Sequence, residues 1–366
     1  MMTRNTNITA RVRKYHGLQI LRITAAFMVL VTHSTYYASE RLDRHFGVWR
    51  DGASGVDIFF VLSGFVMVYS STKLIRDSNG WKIFAERRLV RIVPMYWIAT
   101  SIKVIAILLT SGYVLHAQFR PINAILSYLF IPTFNSEGNI IPILSVGWTL
   151  NFEMFFYSLF TLALFIRWDM YRLVGGILSL LALGAFFRRP TWPAASFYLN
   201  TSVLQFFYGM IIARICIAGR HIPPYFAFPL LSLGFLGLIG PWAPLTQLHG
   251  LDSGIAAALI VYSMASLEDS LTRIPRLVLI MADASYVIYL FHPFIAPAVP
   301  TALMKLHFLY PWLSVICSVI LGLAGGCVIH LFVDVPITNW FRDHLLIGGK
   351  NAIHPAVAVA KSRSAD

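Results

Sequence analysis

Long apolar runs separated by short polar segments make up most of the chain. A membrane-spanning helix needs about 20 predominantly apolar residues, and the longer runs reach this length. The shorter runs predict helices that are tilted, re-entrant or longer than the run itself. We predict ten spans, at residues 18–38, 55–72, 92–112, 147–166, 173–187, 201–218, 226–240, 253–268, 283–300 and 310–333.

The pattern predicts an all-α polytopic membrane protein, with about ten transmembrane helices packed in one bundle. A further apolar stretch at 122–133 is brief and ends at Pro132, so we expect it to be interfacial or re-entrant. We assign residues 1–347 to the membrane domain. Residues 348–366 are mostly small and polar, which predicts a disordered cytoplasmic tail.

The composition supports a membrane protein, because hydrophobic residues make up 57% of the chain and charged residues only 12%. A soluble domain carries roughly a quarter of its residues as charges. The low charge density excludes an ordinary soluble enzyme, and the high apolar content excludes a disordered chain. Cys216, Cys317 and Cys327 all lie in apolar runs, away from any CxxC pair, so we expect neither a disulfide framework nor a metal site.

The formal charge of +13 indicates membrane topology rather than nucleic-acid binding. Basic residues flank spans on the cytoplasmic side, where they also meet anionic lipid. Most Lys and Arg residues fall on one side of alternating loops when both termini are placed in the cytoplasm. The basic N-terminus resembles a signal peptide, but the run that follows contains Arg22 and His33. We therefore expect a retained first helix.

Arg22 and His33 are the first candidates for chemistry, because ionisable groups inside a membrane span are costly and need a partner, a cavity or a function. Eleven residues bring a helix to within about 20° of three whole turns, so both side chains point from one face, roughly 16 Å apart along the axis. This spacing suits a long anionic ligand lying along the helix. The alternative is that Arg22 reaches lipid phosphate and His33 is a satisfied core histidine.

Two carboxylates are predicted to lie near the depth of His33. Asp57 enters the second span from its outer end, and Glu153 lies roughly 9 Å below the outer edge of the fourth span if that helix starts at Gly147. A helix-start carboxylate is the alternative for Asp57. For Ser63 and its neighbour Gly64, helix packing is the favoured interpretation.

Further ionisable residues lie in the third, ninth and tenth spans. Arg87, Arg88 and Arg91 are predicted at the cytoplasmic start of a helix, which suits phosphate groups, although topology signalling also explains their charge. His292 lies near the middle of its span beside Pro293. The sequence suggests no specific role for two other residues within the spans, Lys103 and His330, and Asp334 is either a helix-end partner for an arginine or a ligand contact.

Seven segments in order resemble the acyltransferase-3 family of integral membrane O-acyltransferases. The matching segments are Arg22 to His33, GVDIFFVLSGF from Gly55, RRLVRIVPMYW from Arg87, GWTLNFE from Gly147, FFYGMIIAR from Phe206, SYVIYLFHP from Ser285 and DVP at Asp334. They extend over nearly the whole chain. The GWTLNFEMFFY form is most similar to the exopolysaccharide acetyltransferases of the succinoglycan type.

The resemblance implies acetyl-CoA as donor, without a metal. The implied acceptor is a hydroxyl of a surface or exported polysaccharide or of its lipid-linked oligosaccharide precursor, in the bacterial inner membrane. We expect His33 to be the general base, since neutral imidazole titrates near working pH. Glu153 or Asp57 would orient its ring.

The remaining expectations concern binding. Arg22, Arg88 and Arg91 would hold the phosphates of CoA, and Trp148, Tyr286 and His292 are the candidate substrate-binding residues. Two other classes stay open at this point: a proton-coupled transporter of a polysaccharide precursor, and a structural subunit of an assembly complex.

Overall fold

The computed structural model describes residues 15–109, 119–239, 250–271 and 273–344, and this part of the chain is almost entirely helical. Its α-helices are α1 His16–Arg41, α2 Gly55–Ser71, α3 Gly80–Leu109, α4 Pro121–Tyr128, α5 Trp148–Phe165, α6 Met170–Ala185, α7 Val203–Ile217, α8 Pro224–Ile239, α9 Asp252–Ser266, α10 Arg276–Ile295, α11 Ala298–Lys305, α12 Pro311–Ile329 and α13 Val335–His344. One isolated bridge, Phe134 to Ile140, is the β-pairing found within these residues. The predicted tail at 348–366 lies outside the described residues.

Each of the ten predicted spans coincides with a helix. Among the described residues, five helical segments are long and apolar enough to cross a membrane, namely His16–Arg41, Asp51–Ser71, Gly80–Leu109, Arg276–Lys305 and Pro311–His344. Large apolar side chains also cover the outer surface; for example, Phe187 is 73% and Phe332 75% exposed. An apolar exterior of this kind is typical of a lipid-facing bundle. The all-α membrane class therefore agrees with the structure, while the number of ten spans and the position of the termini stay predictions.

The boundaries of two elements differ from the sequence prediction. α3 begins at Gly80 and continues through Pro94, so Arg87, Arg88 and Arg91 lie inside a helix rather than at its start. The residues before the apolar run, such as those at 82–88, are mostly good helix formers and extend the helix below it. The stretch at 122–133 contains only the short α4, which ends before Phe130, a residue with φ of 58°.

α1 lies at the centre of the bundle and packs against α2, α10 and α12. Its first turn is fixed by the carboxylate of Glu268, which accepts hydrogen bonds from the backbone N–H groups of His16 (2.7 Å) and Gly17 (2.8 Å). The first N–H groups of a helix lack internal partners, and a carboxylate there is also favoured by the helix dipole. This contact fixes the register of the helix that carries Arg22 and His33.

α2 and α7 approach each other closely at two glycines. A Cβ atom at Gly64 would collide with the carbonyl of Phe206, and one at Gly209 would collide with the carbonyl of Val61. The predicted packing role of Gly64 is confirmed, because only a residue without a side chain permits this distance.

Candidate active site

Five helices of the bundle, α1, α2, α3, α5 and α10, enclose a cavity of about 200 Å³. Its polar lining includes Arg22 from α1, Arg88 and Arg91 from α3, Glu153 from α5 and Tyr286 from α10. We call it the arginine cavity. The three arginines predicted to bind one ligand therefore come together, although they lie on two helices separated by a whole span.

The arginines of this cavity keep most of their donors available. Glu153 accepts hydrogen bonds from the hydroxyls of Ser63 (2.9 Å) and Tyr157. No ion pair within 4.0 Å joins Glu153 to Arg22, Arg88 or Arg91 among the described residues. Glu153 is the one carboxylate in the described lining, and Asp283 also acts on Arg22 from outside it. The three guanidinium groups still outnumber these carboxylates, a charge balance that suits a polyanion.

Arg88 is held from two sides. One of its terminal nitrogens donates to Ser70 Oγ at 3.0 Å, and its guanidinium lies over the rings of Phe84 (5.5 Å) and Tyr157 (6.0 Å). Its Nε is buried and has no hydrogen-bond partner among the described residues. The contacts on these two sides hold the guanidinium of Arg88 at the wall of the arginine cavity, where its charge can act on an anionic ligand.

His33 is hydrogen-bonded to a second histidine rather than to a carboxylate. Its Nδ1 lies 2.7 Å from Nε2 of His292 on α10, and the two rings stack with centroids 4.8 Å apart. His292 is 1% exposed, so the pair is shielded from solvent on the α10 side. The prediction that Glu153 or Asp57 contacts the ring of His33 is wrong for this structure.

The position of Glu153 differs from the prediction because α5 starts deep inside the bundle. The segment before it contains only the short 3-10 helix Ser145–Gly147, yet Ile143, Leu144 and Val146 are buried. The prediction placed the start of α5 at the outer edge. Since the chain enters the bundle before the helix begins, Glu153 lies lower, beside Arg22, and not level with His33.

Asp57 lies on the opposite face of α2 from α1. Gly55 packs directly against the carbonyl of Ala25, and a residue two positions later points about 200° away around the helix. Asp57 Oδ1 consequently accepts hydrogen bonds from Gln205 on α7 and from Ser253 on α9 (3.1 Å). The carboxylate of Asp57 joins three helices, which is a structural role, and it does not line the arginine cavity.

A second cavity, of about 410 Å³, opens beside His33, and we call it the histidine cavity. It is lined by α1, α3, α4, the loop 135–145 and the end of α10. Its lining includes Tyr37, Arg41 and Lys103, for which the sequence suggested no role. Aromatic and polar side chains around an open cleft suit a hydroxyl-rich ligand.

The two cavities share no lining residue among those described, and Tyr289 lines the arginine cavity on the side of His292. Its hydroxyl bonds to Thr149 Oγ1 (3.0 Å) and donates to the carbonyl oxygen of Val146 (3.1 Å), while its ring lies 5.9 Å from that of His292. We call Tyr289 and Thr149 the partition. Sequence reasoning missed both residues, although each lies within a segment that carried the resemblance.

Of the three predicted substrate-binding residues, only His292 lies beside His33. Tyr286 lines the arginine cavity and donates to the carbonyl oxygen of Ile92 at 2.9 Å. Trp148 packs edge-on against Phe60 and Phe152 and lines neither cavity. Trp148 therefore belongs to the aromatic packing of the bundle. Within the described ranges, no cluster of three metal-ligating side chains occurs.

Comparisons with known proteins identify the family of the chain. The model of the acyltransferase-3 family, described as an acyltransferase domain, matches residues 15–331. The Exopolysaccharide production protein ExoZ of Rhizobium meliloti (strain 1021) is 32% identical over 327 residues, which cover 86% of this chain and 97% of that protein. No solved structure matches the chain. Since the family model spans most of the chain, the protein belongs to the acyltransferase-3 family and is an acyltransferase.

Proposed function

We propose that the protein transfers an acetyl group from cytoplasmic acetyl-CoA to a hydroxyl of an exopolysaccharide, or of its lipid-linked precursor, in the bacterial inner membrane. The observation that carries the proposal is the course of α1, which brings Arg22 to the arginine cavity and His33 to the histidine cavity. The relative named for exopolysaccharide production supports the class of acceptor. Membership of an acyltransferase family favours an enzyme over the transporter and the structural subunit.

The arginine cavity is the proposed site for the phosphates of the donor. Arg22, Arg88 and Arg91 all line it, and a guanidinium group carries N–H donors in a fork geometry that matches phosphate oxygens. Glu153 keeps the cavity from carrying three uncompensated charges and holds the hydroxyls of Ser63 and Tyr157 in place. Bound acetyl-CoA would supply an activated acyl thioester.

His33 is the proposed general base. In the tautomer that serves this role, Nδ1–H of His33 donates to Nε2 of His292, which leaves Nε2 of His33 unprotonated. That nitrogen takes the proton of the acceptor hydroxyl while the oxygen attacks the acyl carbon. The C–S bond then breaks, and His33 returns its proton to the departing thiolate, so that a glycan ester and a free thiol are the products.

His292 is the proposed positioning residue. A carboxylate in a triad holds a catalytic imidazole and stabilises the imidazolium that forms during the reaction. A neutral imidazole acceptor at 2.7 Å can also hold the ring of His33 and stabilise its imidazolium form, and it adds no charge to the site. This is an advantage in a buried site, where an unpaired carboxylate is costly.

Acetyl transfer by membranes that contain the full chain tests the proposal. Labelled acetyl-CoA and the isolated surface polysaccharide are supplied, and ester formation is measured by mass spectrometry. We expect His33→Ala and His33→Gln to lower the rate by about 10²- to 10⁴-fold, which is the usual contribution of a general base. His45→Ala is the matched control, because His45 is exposed in the loop after α1. Near-normal transfer by both His33 variants would refute the general-base role.

A further inference from the structure

Lys103 lies in an unusual place for a charged side chain. It belongs to α3, where Ile102 (43% exposed) and Ile105 (54%) on either side of it face outwards. Lys103 instead lines the histidine cavity and is half-buried there. A lysine near the end of a span can reach the lipid headgroups. This one lines the same cavity as His33.

No described carboxylate neutralises Lys103. No ion pair joins it to an Asp or Glu within the part of the chain that the structure describes. The residues that follow α3 in the sequence, 110–118, contain neither Asp nor Glu. An unpaired charge inside a membrane domain is costly and marks a functional site unless it is compensated.

Arg41 adds a second cation to the same cavity. It extends from the last turn of α1, donates to Thr301 Oγ1 at 2.5 Å, and has a buried Nε without a hydrogen-bond partner among the described residues. The one acidic side chain in the lining is Glu137, which is exposed at the tip of the loop 135–145. The wall of the cavity therefore carries two cations, against the one exposed carboxylate of Glu137.

We propose that Lys103 and Arg41 form an anion-binding subsite that holds a carboxylate or phosphate group of the acceptor beside His33. This inference rests on the proposed function, because it assigns the substrate class of the histidine cavity. A carboxylate on an acidic sugar and the diphosphate of a lipid-linked precursor share the required chemistry. Both offer oxygens that Lys and Arg bind, and both lie at fixed positions relative to the sugar hydroxyls.

The experiment compares three acceptors with the full-length protein in membranes and acetyl-CoA as donor. The first is an acidic polysaccharide, the second is the same polysaccharide with its carboxylates reduced to alcohols, and the third is a neutral oligosaccharide linked to a prenyl diphosphate. The variants are Lys103→Met, which removes the charge and is compatible with an apolar environment, and Lys103→Arg, which keeps the charge. Lys82→Met is the control on the same helix, since Lys82 is exposed outside both cavities.

We expect Lys103→Met to lower kcat/KM about tenfold or more for the acceptor that carries the recognised anion, as the loss of a charge-assisted hydrogen bond requires. Lys103→Arg should keep most of the kcat/KM of the unmodified protein. A loss confined to the acidic polysaccharide identifies a sugar carboxylate, and a loss confined to the third acceptor identifies the diphosphate. An equal effect on all three acceptors, or no effect, overturns the subsite. Absence of transfer by the unmodified protein to any acceptor refutes the proposed function instead.

Discussion

Replacing His292 by phenylalanine isolates the contribution of the histidine pair. Phenylalanine keeps most of the ring volume and its contact with Tyr289, but it removes the nitrogen that lies 2.7 Å from His33 Nδ1. When His33 accepts a proton, this bond becomes a hydrogen bond from an imidazolium, which is worth about 1.5–3 kcal/mol. Since 1.36 kcal/mol corresponds to a factor of ten in rate, we expect kcat to fall by about 10- to 150-fold.

The assay measures kcat and KM for acetyl transfer with equal amounts of folded protein. A residue that acts through another has little effect once its partner is gone, so His33→Ala combined with His292→Phe should be about as slow as His33→Ala by itself. Thermal unfolding in detergent provides the control for folding. A fully active His292→Phe variant, or rate losses that multiply in the double variant, would refute the argument that His292 positions His33.

Three further predictions concern the donor site, the partition and the first helix. Arg91→Gln should raise KM for acetyl-CoA about tenfold with little change in kcat. The control Arg87→Gln, on the exposed side of α3, should leave both constants unchanged. An unchanged KM in Arg91→Gln would show that Arg91 does not bind the donor. Tyr289→Ala should raise the ratio of butyryl to acetyl transfer about tenfold or more, because it widens the partition, and an unchanged ratio would argue against a passage there. Glu268→Ala should lower the free energy of unfolding by about 2–3 kcal/mol in denaturation experiments, since two backbone N–H groups lose a buried carboxylate; an unchanged unfolding midpoint would contradict this.

The arrangement along each helix could be predicted from the sequence. Spacing within one continuous helix fixes both direction and rise, so Arg22 and His33 could be assigned to one face roughly 16 Å apart. α1 does run unbroken through both residues. The apolar runs likewise located the helices, because the membrane allows few other structures for a backbone at that depth.

The lateral neighbours of His33 could not be predicted in the same way. Hydropathy gives the depth of a residue but does not show which helix packs beside it. The sequence therefore did not predict that α1 packs against α10. The predicted depth of Glu153 was wrong for a related reason. The prediction assumed that α5 starts at the membrane edge. The loop and the short 3-10 helix Ser145–Gly147 before α5 carry no apolar run long enough to reveal that they are buried.

In the proposed function, the partition would separate the donor thioester from the open histidine cavity. Water that reached the donor would hydrolyse it, and closing a site against water suppresses this side reaction. Two hydrogen bonds between neutral groups, to Thr149 and Val146, hold Tyr289 in place at the wall of the arginine cavity. Two such bonds contribute only about 1–3 kcal/mol together, so the open form would be populated in roughly one molecule in six to one in 160 if these bonds alone held it closed. That population is small enough to protect the donor and large enough to permit turnover, because such rearrangements occur in microseconds to milliseconds.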